Sequence, residues 1–208
     1  MEILTSPWKN PRTLNSVSEA EDDLNRVLRA GLSAEGAEEA LEYVTGCVVA
    51  LLGDKKAHLK RGALKEGEHQ YAVAGVFMIS PDRRHNVLLA SQNFPPEQHH
   101  IHIDIGLGHP GETVRTQKPR LLANTDEHPD YKQILKTSRM GSSYYAPLKW
   151  KGRMLGQLIS AAQARHTYRP IDLEILCAFA DVAAALWVTH KGPAKLDAIL
   201  TGIVGADA

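Results

Sequence analysis

Residues 71–80 read YAVAGVFMIS. Side chains of a strand alternate between its two faces, and here both alternating sets are apolar. A strand of this kind needs cover on both sides, so it belongs in the middle of a sheet with one layer above and another below. The turn-forming PDRRHN (81–86) and the apolar VLLASQ (87–92) that follow make the second half of an antiparallel pair. The rest of the chain must therefore supply two covering layers.

Two helices precede this strand. SEAEDDLNRVLRAG (18–31) opens with Ser18 and has Glu21 three residues later, the spacing of a capping box, and Gly31 marks a stop. Ser33 starts AEGAEEALEYVTGCVVALLG, in which Ala37, Leu41, Val44, Val48 and Leu51 recur at helical spacing before Gly53. Residues 1–15 read as an arm. Residues 54–70 are polar and basic (Lys55, Lys56, Lys60, Arg61, Lys65). They lack interleaved aromatics, and the chain balances 24 Lys and Arg against 24 Asp and Glu, so a solvated linker is expected there rather than a nucleic-acid surface.

After the central pair, HHIHIDI (99–105) alternates histidine or aspartate with isoleucine and predicts a third strand. RLLAN (120–124) predicts a short strand. SSYYAPLKWKGRMLGQLISAAQ (142–163) predicts a hairpin turning at Lys151 and Gly152. PIDLEILCAFADVAAALWVTH (170–190) predicts a long helix with Pro170 in its first turn. That helix is apolar almost all round and needs more cover than one sheet face provides, a demand that a second subunit would meet. Residues 193–208 read as a tail or short helix. Strands flanked by helices in this order imply an α+β fold with about six antiparallel strands.

The two cysteines, Cys47 and Cys177, lie far apart and outside any C-x-x-C spacing, so neither a disulfide framework nor a structural zinc site is indicated. The first residues hold no continuous apolar segment, and no run approaches the length of a membrane span. The expectation is a soluble, cytoplasmic protein with no membrane and no nucleic-acid partner.

From Gly106 onward the chain resembles the GAF domain family. The resemblance is carried by GLGHPGETVRTQKPRLLAN (106–124), HPDY (128–131), SSYYAPLKWKGRMLGQLIS (142–160) and YRPIDLEILCAFADVAAAL (168–186), and it extends over residues 35–190. It implies a six-stranded antiparallel sheet, with the first helices and the last long helix bundled on one face. Loops and short helices after the third strand would enclose a ligand pocket on the other. It places the domain at 16–192 and implies dimerisation through the terminal helices. His109, Thr116, Asn124, Asp126, Tyr131, Arg139 and Ser143 become candidate ligand-binding residues, with His128 on the same loop. The ligand and any cofactor stay unknown. The cyclic-nucleotide pattern N-K-x(n)-F-x3-D-E is unmatched, since Thr125 follows Asn124, and no cysteine stands where bilin-binding members attach their chromophore. Members that reduce free methionine sulfoxide use cysteines around the pocket, whereas Cys47 and Cys177 fall in predicted packing helices. No kinase, cyclase, phosphodiesterase or helix-turn-helix pattern follows residue 192, so output is expected through the dimer or a protein partner.

The residues also admit other chemistry. His100, His102 and Asp104 share one side of the predicted strand and form a possible metal set, against the plainer reading of a wet face opposite core isoleucines. Gly106, Gly108 and Gly111 spell G-x-G-x-x-G, but without the βαβ context of a dinucleotide site. No nucleophile elbow and no H-E-x-x-H occurs, so no catalytic residue is assigned. Three functions remain in view: a ligand-binding sensory or regulatory module, a divergent redox or metal-assisted enzyme using the same pocket, and an interaction scaffold with a degenerate pocket.

Overall fold

The computed structural model describes residues 13–135, 137 and 139–201; residues 1–12 of the arm and the last seven of the tail lie outside that set. The elements run α1 (Glu21–Leu32), α2 (Ala37–Leu51), β1 (Ala72–Ile79), β2 (His85–Gln92), β3 (His102–Asp104), α3 (Gly108–Thr116), β4 (Arg120–Leu122), β5 (Ser142–Trp150), β6 (Arg153–Ala162), α4 (Pro170–Thr189) and α5 (Gly192–Thr201). The six strands form one sheet in the order β3-β2-β1-β6-β5-β4, and every neighbouring pair is antiparallel. The α+β class and the six-stranded sheet expected from the sequence are both present.

Strand β1 lies in the sheet centre and its alternation divides the molecule. Ala74, Val76 and Met78 join the large core beneath the helices, while Val73 and Phe77 belong to smaller clusters on the opposite face. The same parity runs through β5 and β6: Tyr144, Ala146, Leu148, Leu158 and Ala162 face the helices, and Ile159 and Ala161 face away. Full burial of the larger apolar side chains among them, Val, Leu, Phe and Met, contributes roughly 1.5–3 kcal/mol each. The β5–β6 hairpin turns at Lys151 and Gly152, both with left-handed φ (48° and 77°), as a two-residue turn between twisted strands requires.

On the helical face α2 packs over β1 and β2, and α4 over β5, with α1 beside both helices. Val27, Leu41, Val44, Val48, Leu176, Phe179 and Trp187 meet there. Much of the cover that α4 demands comes from the chain itself, from α1, α2 and α5, the last burying Leu196 against the same core, and Val182 and Val188 stay half-buried. Leu14 is also buried in this core, and the Arg169 guanidinium donates to its carbonyl, so packing begins ahead of α1.

Three local expectations are corrected. The cap falls earlier than Ser18: a 3-10 turn (Ser18–Ala20) precedes α1, Ser16 Oγ accepts from Glu19 N (3.2 Å), and the Glu19 carboxylate accepts from Asn15 N (2.8 Å). Gly31 lies within α1 rather than ending it, and its missing side chain makes room for Leu186 of α4. Helix α2 starts after Gly36, not Ser33. The basic residues of 54–70 serve local ends. Lys55 Nζ donates to the carbonyls of Val49 and Leu52 at the end of α2, Lys60 pairs with Asp54, and Lys65 with Asp126. No helix among the described residues is long and apolar enough to cross a membrane.

Candidate functional site

The face of the sheet away from the helices is covered by α3 and by the described residues of 128–140. Two glycines make α3 possible. Gly108 has φ +58°, and a Cβ there would come within 2.9 Å of Ile134 Cδ1. A Cβ on Gly111 would overlap the Gly106 carbonyl, so the first turn of α3 rests directly on the turn after β3. The spacing that mimics a dinucleotide fingerprint is thus used for close packing of a helix start. Gln157 of β6 ties this helix to the sheet, its Nε2 donating to Pro110 O (3.2 Å) and to Asn86 Oδ1 (3.1 Å).

Beneath α3 lies a cavity of about 60 Å³. Val73, Phe77, Phe94, Ile103, Met140, Ile159 and Ala161 make its apolar wall, and His109, Tyr131, Gln133, Thr137 and Tyr145 bring polar atoms to it. The volume admits the centres of only a few waters. Beside it, a polar cleft of about 300 Å³ is lined by Glu112, Arg120, His128 and Asp130, and His109 borders both spaces.

His109 is buried in the first turn of α3. Neither ring nitrogen has a hydrogen bond among the described residues. The nearest carboxylate, Glu112, is 3.7 Å from Nδ1, beyond hydrogen-bond length, and is itself paired with Arg120. Burial, reinforced by the Arg120 charge, holds the imidazole below its ordinary value of 6.5 against the opposing pull of Glu112. The ring is therefore neutral near pH 7, with one donor and one acceptor unspent. Three rings surround it: Tyr131 stacked at 5.7 Å between centroids, His128 edge-on at 6.1 Å and Tyr145 tilted at 6.3 Å.

The cover over the cavity is held at two levels. Gln133 gathers the segment on itself: its Nε2 donates to Leu135 O (3.1 Å) and Thr137 Oγ1 (2.6 Å), and its Oε1 accepts from Met140 N (3.3 Å). Asp126 anchors the base, accepting from Lys65 Nζ (2.7 Å), Arg165 Nε (2.9 Å) and Arg139 (3.0 Å). Those cations, Lys65 foremost, hold its carboxyl far below the usual carboxylate range. Arg165, 2% exposed, also forks onto Glu68.

Of the candidate binding residues, only His109 and Tyr131 are brought together at the cavity. Ser143 lies buried behind it, its Oγ 3.1 Å from the Tyr145 hydroxyl. Thr116 is exposed and bonds back to Glu112 O within α3. Asn124 caps a 3-10 turn by accepting from Asp126 N (3.1 Å). Arg139 is held by Asp126 beside the Tyr131 ring rather than aimed into the cavity. His128 lines the polar cleft. The possible metal set is dispersed. His100 precedes β3 with φ +60° and reaches Glu38 of α2, whereas His102 and Asp104 point into solvent opposite buried Ile103. Cys47 and Cys177 sit in α2 and α4 on the helical face, away from the cavity. Burial pushes both thiols up, Cys177 to about 11.

The wall residues Phe77, Phe94, Ile103, Ile134 and Met140 were not among the sequence candidates. Phe77 and Ile103 carry only the signal of apolar parity on the strand face opposite the helices, and Phe94, Ile134 and Met140 lie in connecting segments that no strand parity marks. The buried Asn86–Gln157 pair was also missed, although a polar residue at that parity in an otherwise apolar strand marks a site needing a partner.

In structure, the chain is similar to the GAF domain of a phosphoenolpyruvate-protein phosphotransferase from Coxiella burnetii. The TM-score is 0.70 and the identity 19%, over 86% of this chain and 99% of that one. It is also similar to the corresponding domain from Acinetobacter (TM-score 0.65, 14% identity, 84% and 95% covered). Free methionine-R-sulfoxide reductase from Neisseria meningitidis, solved with its substrate, gives a TM-score of 0.65 at 15% identity, with 88% and 98% covered. Likeness at these identities is likeness of fold. No curated protein matches the chain in sequence. The GAF domain family model matches residues 36–187, a span that runs from the start of α2 to Trp187 of α4 and takes in the whole sheet and the cavity. The chain belongs to the GAF domain family.

Proposed function

We propose that the protein is a cytoplasmic sensory or regulatory module that binds a small molecule between the sheet and α3, and acts as a homodimer or on a protein partner. The observation that carries this is His109: a buried, neutral imidazole with both nitrogens unspent, at the edge of an apolar cavity. Buried polar atoms are ordinarily satisfied, and one left open beside a cavity is placed to meet a ligand or a water. The matching chemistry is a compact apolar body carrying one hydrogen-bonding group. A cavity of about 60 Å³ holds nothing as large as a nucleotide without displacement of Tyr131 and its neighbours, so binding and movement of the cover are coupled.

The neighbouring fold of the sulfoxide reductases keeps an enzymatic reading open. Binding is favoured over cysteine chemistry because both thiols lie across the sheet from the cavity. Output through the helical layer is supported by half-buried Leu24 and Leu28 of α1 and Val182 and Val188 of α4, apolar residues that a second copy would cover.

The test is native mass spectrometry of protein from its own host, with thermal shift against a panel of short aliphatic and aromatic carboxylates, phenols and amino acids. A retained small molecule, or a stabilising compound whose effect is lost in His109→Ala, is expected. An empty protein stabilised by no panel member overturns the reading. Light scattering at micromolar concentration reads the dimer, and a monomer removes that part.

A further inference from the structure

A separate cluster lies on the edge of the molecule away from the cavity. Glu38 stands in the first turn of α2, and His99 and His100 in the connection from β2 to β3, 62 residues away along the chain. His100 Nε2 is 2.6 Å from one Glu38 carboxylate oxygen, and His99 Nε2 is 3.7 Å from the other. The two imidazoles lie against each other at 3.8 Å between centroids, with planes 29° apart. One ligand atom from each residue falls within 4.8 Å of the other two.

We propose that Glu38, His99 and His100 form a binding site for a divalent transition-metal ion of the zinc class. Two imidazoles and a carboxylate are a donor set that zinc accepts, with a fourth position left to water. Ligand atoms about 2.0–2.2 Å from a tetrahedral ion stand roughly 3.4 Å apart, a separation bracketed by the 2.6 and 3.7 Å observed here. The two rings must turn out of their stack for both Nε2 lone pairs to aim at one centre, a side-chain rotation that their partial exposure allows.

Three further features favour this site. His100 holds a left-handed φ of +60°, a conformation that glycine or asparagine would adopt with less strain, and its N–H is fixed to Leu88 O (2.9 Å). That backbone delivers the imidazole to Glu38, as strained residues at functional sites do. Glu35, Glu38, Glu39 and Glu42 crowd two turns of chain around the start of α2, giving a local negative field that outweighs the single Lys195 in the same cleft. Glu39 is already engaged by Tyr43 and by the Glu35 N–H, which leaves Glu38 as the carboxylate facing the histidines. The side chains are 28–43% exposed, so an ion enters from solvent.

The ion would cross-link the start of α2 to the chain entering β3, joining the helical layer to the edge strand whose Ile103 lines the cavity. This assignment does not depend on the cavity binding anything.

Isothermal titration of the tag-free chain with zinc chloride tests it. One zinc per chain at micromolar affinity is expected, with a rise in the thermal midpoint because the ion bridges two elements of the native state. Glu38→Gln and His99→Ala should each weaken binding by about tenfold or more, and the double variant should abolish it, while His102→Ala binds as the wild type. His100→Asn keeps the left-handed backbone and should also lose zinc. Absence of zinc binding by the wild type at micromolar concentration overturns the proposal. So does wild-type binding by a folded Glu38→Gln/His99→Ala double variant.

Discussion

Tyr131 lies over His109 with ring centroids 5.7 Å apart and planes 25° from parallel, closing the cavity from the side of the 128–140 segment. The tyrosine is half-buried and its hydroxyl reaches Gln133, so the ring is held as a cover and not as a freely swinging side chain. Tyr131→Ala should open the cavity to solvent. A half-buried aromatic makes the expected loss of stability about 1–2 kcal/mol, below that of a fully buried ring. The diagnostic change is chemical: diethyl pyrocarbonate should modify His109 faster in the variant, as read by peptide mass spectrometry. An unchanged rate would mean that Tyr131 does not guard the imidazole.

The buried, neutral state of His109 gives a pH dependence of known sign. Its folded value lies below the ordinary 6.5, so the folded state binds its proton less readily than the unfolded chain does. Its contribution is full above pH 6.5 and is lost as pH falls through the folded value. Proton NMR of the ring should show a midpoint below 6.5, and His109→Gln should flatten that part of the stability profile in urea titrations. A midpoint at or above 6.5 would show that Glu112 outweighs burial and Arg120.

Much of this architecture was written in short-range patterns. The two-faced apolarity of β1, the Lys151-Gly152 turn and the burial of Ile103 between exposed His102 and Asp104 are local consequences of backbone geometry, and they appear where the residues demand them. What local pattern does not carry is which long side chains find each other. Arg139 had the chemistry to clamp a ligand anion, yet Asp126, drawn in from 13 residues away, holds it together with Arg165 and Lys65. His100 shared a strand parity with His102 until a left-handed residue turned it toward a glutamate 62 residues distant. Ser18 had a cap's spacing, and Ser16 took the role because a 3-10 turn was added ahead of the helix. The cavity's polar groups were partly legible through the glycines that position His109. Its apolar wall needed the sheet order, which sets β3 and β1 on either side of β2 and β6 next to β1.

Asp126 links three cations, and its removal should be felt through the buried one. Arg165 keeps Glu68 in Asp126→Asn, so the loss is that of one charge-assisted bond with the partly exposed contacts of Lys65 and Arg139, about 1–3 kcal/mol. Arg139→Ala removes only an exposed partner and should cost less than about 1 kcal/mol. Urea denaturation of both variants measures the difference. Because the carboxyl is held below its ordinary 3.8, its contribution is full above that pH and disappears as pH falls through the folded value. Equal losses in the two variants would show that Arg165 does not rely on Asp126.

The start of α3 makes the sharpest steric demand on the site. At Gly111 an added methyl meets the Gly106 backbone, which cannot rotate away as a side chain can, so the helix must lift or the turn after β3 must yield. Gly111→Ala should destabilise by about 1–3 kcal/mol or more, in the range of overpacked interiors. At Gly108 the obstacle is the flexible end of Ile134, and the strain is chiefly the left-handed φ, worth about 1–2 kcal/mol. The two variants should therefore differ in kind. Gly108→Ala should keep His109 buried, whereas Gly111→Ala should displace α3 and raise the His109 midpoint toward 6.5 as the ring meets water. Thermal denaturation ranks the stabilities and the histidine titration reads the displacement. A Gly111→Ala protein with wild-type stability would show that α3 does not rest on the Gly106 turn.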